Sequence, residues 1–183
     1  LADDTADKKD LARKASQYLS QAAGCYLEAL RVDTSEQSRD RIPHCLSMLA
    51  ADGREFGSVC KTLQARGAST PAWCWLPWIP QLLSSLCRIE ALAVKPILVG
   101  ILKDHPQALY YSLRSFFLER RDVEKSMPDQ KSDGATKDEG ESQSSLKLAE
   151  IIMSSLRKTH PVLWNRLDLI LDNLIVRFRP SYE

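Results

Sequence analysis

Apolar residues recur at helical spacing along almost the whole chain, and this periodicity constrains the fold more than any other feature of the sequence. Between Leu11 and Leu30 an apolar residue occurs every three or four positions, which predicts one long amphipathic helix. The alternation of apolar and polar residues that is typical of a half-buried strand is absent. The chain is therefore predicted to be all-α.

Capping residues predict where the second long apolar stretch begins and ends. Thr34, with Gln37 three residues later, has the pattern of a capping box. Pro43 favours a kink or a late helix start near Arg41, and Gly53 is a stop signal. The helix between them is expected to bury one apolar face, formed by Ile42, Cys45, Leu46 and Leu49.

Prolines divide the middle of the chain into further helices. If a helix begins at Pro77, then Pro77 and Pro80 both lie in its first turn, where backbone N–H groups lack acceptors anyway. Pro96 lies in the first turn of the next helix or kinks it, and Pro106 opens another. The first of these helices is expected to place four apolar residues on one face: Leu82, Leu83, Leu86 and Ile89.

The composition changes abruptly between Asp122 and Ser145, where few apolar residues occur among Ser, Asp, Glu, Lys and Gly. Such a segment cannot bury enough surface to offset its ordering entropy, which predicts a disordered polar insertion. Helical repeats are expected on both sides, over 1–121 and 146–183. Ser126 and Thr136 each have an acidic residue three positions later and are candidate phosphorylation sites; the alternative is a solvated loop without a regulatory role.

Two segments of the chain share one plan. KDHPQALYYSLR (Lys103–Arg114) and KTHPVLWNRLDL (Lys158–Leu169) both place Lys-x-His before a proline that can open a helix. Tight joints of this kind build αα-hairpins, and stacked hairpins build solenoids. A second signal, Ala22, Tyr26, Ala29 and Leu30, has the spacing of the second helix of a tetratricopeptide repeat. The predicted fold is a solenoid segment of αα-hairpins similar to tetratricopeptide or HEAT repeats.

Composition excludes several classes of partner and compartment. With 44% hydrophobic and 27% charged residues and a net charge of +1, the chain has no basic cluster for direct nucleic-acid binding or for a membrane surface. No apolar run is long enough for a transmembrane helix. The five cysteines are odd in number and lack Cys-x-x-Cys spacing, so we expect buried free thiols in a reducing compartment, the cytosol or the nucleus.

Motifs that carry chemistry are missing. The sequence has no Gly-rich phosphate loop and none of the kinase signatures, and its three histidines, His44, His105 and His160, have no ligand partners at helical spacing. A Cys–His pair that meets only in the fold is left open. We therefore predict no catalytic residue, cofactor or metal ion.

Three tryptophans, Trp73, Trp75 and Trp78, allow two interpretations. They form either an aromatic cage or hot-spot surface for a partner, or a wedge that packs one hairpin on the next. We favour the wedge, in which the indole N–H groups reach backbone carbonyls. Neither interpretation requires catalysis.

These tryptophans stand in a stretch that resembles the FAT region of the phosphatidylinositol-3-kinase-related kinases. The string WLPWIPQLLSSL is followed about twenty residues later by HPQALYYSLR. Within that superfamily the chain is most similar to the TRRAP-like pseudokinases. The residues that carry the resemblance are Trp73, Trp75, Trp78, Ile79, Pro80, Gln81 and Leu82 in the first string and Pro106, Gln107 and Ala108 in the second.

The resemblance implies a non-catalytic helical scaffold that supports a kinase-like domain of the same chain. It further implies a nuclear platform whose partners are acetyltransferase-complex subunits and transcription activators. One alternative is the FAT region of an active protein Ser/Thr kinase, in which these helices regulate catalysis. Another is a stand-alone tetratricopeptide-like adaptor that binds peptides. The adaptor predicts a stable monomer, whereas a solenoid segment is expected to expose apolar edges and associate.

Overall fold

In the computed structural model the described residues are 2–52, 57–126 and 137–178, and every regular element among them is helical. The all-α prediction is confirmed. None of the helices in these ranges is long and apolar enough to cross a membrane. The elements are α1 (Ala2–Val32), α2 (Glu36–Arg39), α3 (Ile42–Ala51), α4 (Ser58–Arg66), α5 (Ile79–Ser85), α6 (Ala91–Asp104), α7 (Pro106–Ser126), α8 (Lys137–Thr159) and α9 (Pro161–Phe178), with 3₁₀ helices at Gly67–Ser69 and Ala72–Trp78.

The helices pack in the order in which they follow one another along the chain. Helix α1 lies against α3 and α4, α4 against α6, and α6 against α7 and α8; α9 then packs on α8. Contacts between near neighbours are the mark of stacked helical hairpins, so the predicted solenoid segment is confirmed. One continuous apolar core links the layers, from Ala23 and Leu27 of α1 to Trp164 of α9.

Both Lys-x-His-Pro segments form the joints that the sequence predicts. Helix α6 ends at Asp104 and α7 begins at Pro106, with His105 between them; α8 and α9 meet in the same way around His160. The His105 N–H closes the last turn of α6 by donating to Ile101 O at 2.7 Å. The proline that follows has no N–H to leave unsatisfied, which is why the next helix can start at once.

The predicted capping box is wrong by one residue. The N-cap of α2 is Ser35, whose side chain accepts from the Ser38 N–H, and Thr34 plays no part. The Asp33 carboxylate fixes this start by accepting from the Ser35 N–H at 2.9 Å and from the Ser38 hydroxyl. Helix α3 begins at Ile42 after an N-cap at Arg41, as predicted, and buries Ile42, Cys45 and Leu49 but leaves Leu46 half-buried. The stop signal Gly53 lies outside the described residues.

Two further expectations about the middle of the chain are corrected. Pro77 lies inside the 3₁₀ helix Ala72–Trp78 and not in the first turn of an α-helix, which begins two residues later at Ile79 with Pro80 in its first turn. The 3₁₀ helix buries Trp75 before α5 begins. Ile89 does not join the buried face, because α5 ends at Ser85 and Ile89 is exposed.

The tetratricopeptide-like positions of α1 make up only part of its buried face. Among them Leu30 is buried but Ala29 is exposed, and Ala23 and Leu27 complete the buried face. Pro96 lies inside α6, past its first turn, and the helix continues to Asp104.

Helical structure extends into both flanks of the predicted insertion. Helix α7 continues through residues 122–126, and α8 already begins at Lys137. Lys, Glu and Gln have good intrinsic helix propensity, so these polar flanks extend helices that are nucleated by their apolar neighbours. The remainder of the insertion lies outside the described residues, and the division into 1–121, 122–145 and 146–183 stays a prediction.

A buried carboxylate closes the joint between α3 and α4. Asp52 accepts hydrogen bonds from the Val59 N–H at 2.7 Å, the Cys60 N–H at 3.1 Å and the Ser16 hydroxyl of α1 at 2.8 Å. The N-cap residue of α4 is Gly57, in the left-handed region at φ 56°, and it has no side chain to offer. Asp52 therefore supplies the cap from outside the helix and ties α1 to it.

Candidate functional site

The three clustered tryptophans occupy different environments. Trp75 is fully buried, and Trp78 is half-buried against the core. Trp73 is 39% exposed, with the Arg39 guanidinium 5.4 Å from its ring centroid. Trp75 and Trp78 therefore have the surroundings of packing residues, and Trp73 alone presents aromatic surface to a partner.

The prediction that the indole N–H groups reach backbone carbonyls fails for Trp75. Its Nε1 is buried and has no hydrogen-bond partner among the described residues. The tight 3₁₀ helix explains the failure, because it buries the ring without turning the N–H toward an acceptor. The hydroxyl of Thr70, which lies just before this helix, is also buried without a partner.

The other signature residues divide between core and surface. Ile79 and Leu82 are buried, whereas Pro80 and Gln81 are exposed on the first turn of α5. The carbonyls of this exposed pair accept hydrogen bonds from the hydroxyls of Ser84 and Ser85 one turn later. In the second string Pro106 is half-buried, and Gln107 and Ala108 are exposed at the start of α7.

The two repeated segments meet in a polar cluster between α7 and α9. Tyr110 donates from its hydroxyl to Asp168 Oδ1 at 3.1 Å and accepts from Arg114 Nη1 at 2.9 Å. The Arg114 guanidinium also pairs with the Asp168 carboxylate and, at 3.2 Å, with that of Asp172. The Trp164 ring packs edge-on against Tyr110 with centroids 5.2 Å apart. We call Tyr110, Arg114, Trp164 and Asp168 the hairpin clasp.

The pKa shifts in the hairpin clasp favour a protonated Tyr110 hydroxyl and a charged Arg114 guanidinium. Burial raises the pKa of the Tyr110 hydroxyl, which keeps it protonated as a donor. Burial alone would lower the pKa of Arg114, but the hydrogen bond to Tyr110 and the charge of Asp168 outweigh it and raise the pKa overall. Arg157 covers the outer face of Trp164, 4.7 Å from its centroid. Such a cluster joins two helical hairpins rigidly and has no group poised for proton transfer.

Sequence reasoning missed the hairpin clasp, although a signal for it is present. Tyr110 and Arg114 are four residues apart, as are Trp164 and Asp168, so each helix presents an aromatic residue and a charge on one face. The charge of Arg114 on α7 is positive and that of Asp168 on α9 is negative. The contact between the two helices could not be predicted, because no local sequence pattern specifies which faces of α7 and α9 pack together.

The structure gathers no set of metal ligands among the side chains that it describes. Among the side chains that the structure describes, in residues 7–52, 57–126 and 145–177, no three His, Cys, Asp or Glu lie close enough to hold a metal ion. All five cysteines are free; Cys45 and Cys74 are buried, Cys60 and Cys87 half-buried, and Cys25 exposed. Burial raises the pKa of the Cys45 thiol to about 11, the opposite of what a nucleophile needs.

The candidate phosphorylation sites lie at the edge of the described structure. Ser126 is exposed in the last turn of α7, and its hydroxyl donates to Val123 O at 2.9 Å. Thr136 lies outside the described residues. Phosphorylation at either site stays a prediction.

Comparison with known proteins connects this architecture to a group of transcription proteins. The chain is 34% identical over 98 residues to the SAGA complex/NuA4 acetyltransferase complex subunit TRA1 of Saccharomyces cerevisiae, covering 54% of this chain and 3% of that protein. It is 28% identical over 166 residues to the human transformation/transcription domain-associated protein, covering 88% of this chain and 4% of that protein. The chain is related to a segment of these proteins. The resemblance drawn from the tryptophan–proline stretch is thereby confirmed.

Over a smaller share of its length the chain is also similar to a protein kinase subunit. The DNA-dependent protein kinase catalytic subunit of Xenopus laevis is 31% identical over 86 residues, which is 46% of this chain and 2% of that protein. The chain thus spans only a few per cent of the length of the transcription proteins and kinases that it matches. No protein-family model matches the chain, and no solved structure does.

Proposed function

We propose that this chain is a FAT-type, non-catalytic scaffold segment of a TRRAP-like subunit of histone acetyltransferase coactivator complexes. The observation that carries the proposal is the similarity to the human transformation/transcription domain-associated protein across 88% of the chain. The relatives from Saccharomyces cerevisiae and Schizosaccharomyces pombe are named as subunits of the SAGA and NuA4 acetyltransferase complexes. In this role the segment acts in the nucleus.

The geometry supports a role in holding neighbouring parts in place. In a solenoid each hairpin packs on its neighbours, so the position of one hairpin determines that of the next. The hairpin clasp fixes the angle between α7 and α9, the helices that follow the two Lys-x-His-Pro joints. The partners that we propose are acetyltransferase-complex subunits, transcription activators and a kinase-like domain of the same chain.

The alternative is a segment that regulates an active protein kinase, and it has its own support in the similarity to the DNA-dependent protein kinase catalytic subunit. Both proposals fit a helical solenoid. They differ in what the whole protein does, and that difference can be measured.

Affinity purification of the natural protein that carries this sequence separates the two. We expect histone acetyltransferase activity to co-purify, and we expect no transfer of phosphate from ATP to protein substrates above a mock purification. Kinase activity that persists through a high-salt wash, without acetyltransferase activity, would establish the alternative. Deletion of the segment 103–169, which contains both repeated motifs, tests whether this part of the protein is needed for the association. We expect the deletion to release the acetyltransferase.

A further inference from the structure

Helix α1 carries a second apolar row, apart from the face that it buries. Leu11 and Tyr18, seven residues apart, are 69% and 68% exposed. Smaller apolar residues continue the row in alternate steps of four and three positions, and the whole set, which we call the α1 stripe, is Leu11, Ala15, Tyr18, Ala22, Cys25 and Ala29. All are exposed except Ala22, which is half-buried. The centre of the buried face lies roughly 130° away around the helix.

The spacing of the α1 stripe is typical of a helix that packs along another helix. Steps of four and three residues return an apolar side chain to the same line every seven residues, which is the repeat of a coiled-coil seam. In the part of the chain that the structure describes, nothing covers this row, since its two largest side chains stay exposed. Single exposed apolar residues are normal on a protein surface, but a continuous row of them marks a contact surface. The spacing indicates that the occupant is a helix.

Helix α9, at the other end of the packing order, has exposed apolar residues at the same interval. A branched side chain recurs there every seven residues, at Val162, Leu169 and Val176, and all three are exposed. We call these three residues the α9 row. The three alanines of the α1 stripe are also seven residues apart, which is about 10 Å along a helix. The two sets therefore match in spacing along their whole length.

The α1 stripe and the α9 row are also complementary in shape. In the α1 stripe each alanine is next to larger side chains, as Ala22 is between Tyr18 and Cys25, which leaves a recess. A branched side chain of α9 fits such a recess as a knob fits a hole between helices. Two α1 stripes would bury less apolar surface against each other, because half of their side chains are alanine, and two α9 rows have no alanine recess to offer.

We propose that the α1 stripe binds α9 of a second copy of this chain. The α9 row of one copy lies over the three alanines of the next, with Leu169 opposite Ala22 at the centre. Because the two surfaces differ, the contact is head-to-tail, and every oligomer keeps one free α1 stripe and one free α9 row through which it can grow. The inference goes beyond the proposed scaffold function and stands or falls independently of it.

The test is a mixing experiment with two variants of the 183-residue chain, each of which lacks one surface. Tyr18→Lys blocks the α1 stripe, and Leu169→Lys combined with Val176→Lys blocks the α9 row; all three side chains are exposed, so the fold is kept. We expect each variant alone to be a monomer in sedimentation velocity, at concentrations where the wild-type chain forms oligomers. Mixed in equal amounts, they should form a 1:1 dimer and nothing larger, because one intact surface of each kind remains.

The matched control is Gln17→Lys, which adds the same charge one position away, on the polar face of α1. It should leave the wild-type oligomers intact. A dimer of Tyr18→Lys alone would show that α9 pairs with α9, and a dimer of the α9 variant alone would show that α1 pairs with α1. Either result overturns the proposal, as does a mixture that stays monomeric, a monomeric wild-type chain, or equal dispersal by Gln17→Lys.

Cysteine cross-linking locates the contact. In a Cys25→Ala background, which removes the exposed thiol, a chain with Ala22→Cys is mixed with one that carries Leu169→Cys. A disulfide needs Cα atoms within about 7 Å of each other, so oxidation with diamide should link the two chains on a non-reducing gel. A chain with Gln17→Cys in place of Ala22→Cys should not be linked. Equal linking of the two chains, or none with Ala22→Cys, overturns the proposal.

Discussion

Arg114 of α7 and Asp168 of α9 form an ion pair across two helical hairpins, with the hydroxyl of Tyr110 hydrogen-bonded to both. The Arg114 side chain is only 17% exposed and that of Asp168 is 37% exposed. The pair is therefore shielded enough to be worth more than a surface salt bridge, yet not so buried that desolvation cancels it.

Substituting Arg114 should destabilise the chain measurably. We expect Arg114→Met, which keeps most of the packing, to lower the free energy of unfolding by about 1–2 kcal/mol, because it leaves the Asp168 carboxylate and the Tyr110 hydroxyl short of a partner. Urea denaturation measures the loss. Arg121→Met is the matched control, since the Arg121 side chain is more exposed, at 43%, and its ion pair with Asp122 is longer, at 3.6 Å. Equal losses in the two variants would show that the hairpin clasp contributes nothing of its own.

Asp52 gives a second stability prediction, at the other end of the chain. Asp52→Ala removes the cap of α4 and strands two N–H groups and the Ser16 hydroxyl, so we expect a loss of about 2–3 kcal/mol. Asp33→Ala, at the exposed start of α2, is the control and should cost less. Midpoints of thermal unfolding measure both losses, and we expect the midpoint of Asp52→Ala to lie below that of Asp33→Ala. The reverse order would mean that α4 does not depend on its cap.

The sequence predicts those features of the fold that depend on residues close together in the chain, and not those that depend on contacts between distant helices. The Lys-x-His-Pro joints were predicted because a proline and the helix end before it are neighbours in sequence. The position of Pro77 in a 3₁₀ helix was not, because burial of Trp75 decides it and burial depends on α6, which comes later in the chain. The hairpin clasp and the Asp52 cap were missed for the same reason. Each joins helices whose facing sides no local pattern specifies.

The buried thiol of Cys45 makes stability depend on pH in the alkaline range. Burial raises its pKa from 9.0 to about 11, so the unfolded chain loses this proton first. The stability that the protonated thiol confers is complete below pH 9 and is lost as the pH rises towards 11, at about 1.4 kcal/mol for each pH unit. Cys45→Ala should be less stable at pH 7 but should flatten this decline. Urea midpoints at pH 7, 9 and 10.5 measure it.

Cys25 supplies the control for that experiment, because it is exposed. Cys25→Ala should keep the full alkaline decline, because it leaves the buried thiol of Cys45 in place. In the wild-type chain a thiol reagent should modify Cys25 well before Cys45. A flattened decline in Cys25→Ala, or rapid modification of Cys45 in the folded chain, contradicts the burial argument.

The outer surface of α9 predicts self-association. Six of its apolar side chains are between 45% and 78% exposed, namely Val162, Leu169, Ile170, Leu174, Ile175 and Val176. A cluster of this kind on one helix exceeds the isolated exposed residues that are normal for monomers. We expect sedimentation velocity to reveal oligomers that grow with concentration in the micromolar range. A stable monomer would instead favour the stand-alone adaptor over the scaffold segment.

A charge substitution on α9 locates the association. Leu169→Lys combined with Val176→Lys should shift the chain towards monomer with little change in its unfolding midpoint, because both side chains already lie in solvent. Val32→Lys is the matched control, since Val32 at the end of α1 is 77% exposed and Val176 is 78% exposed. If Val32→Lys disperses the chain equally well, added charge alone is responsible. If only the α9 variant does so, the exposed apolar side chains of α9 drive the association.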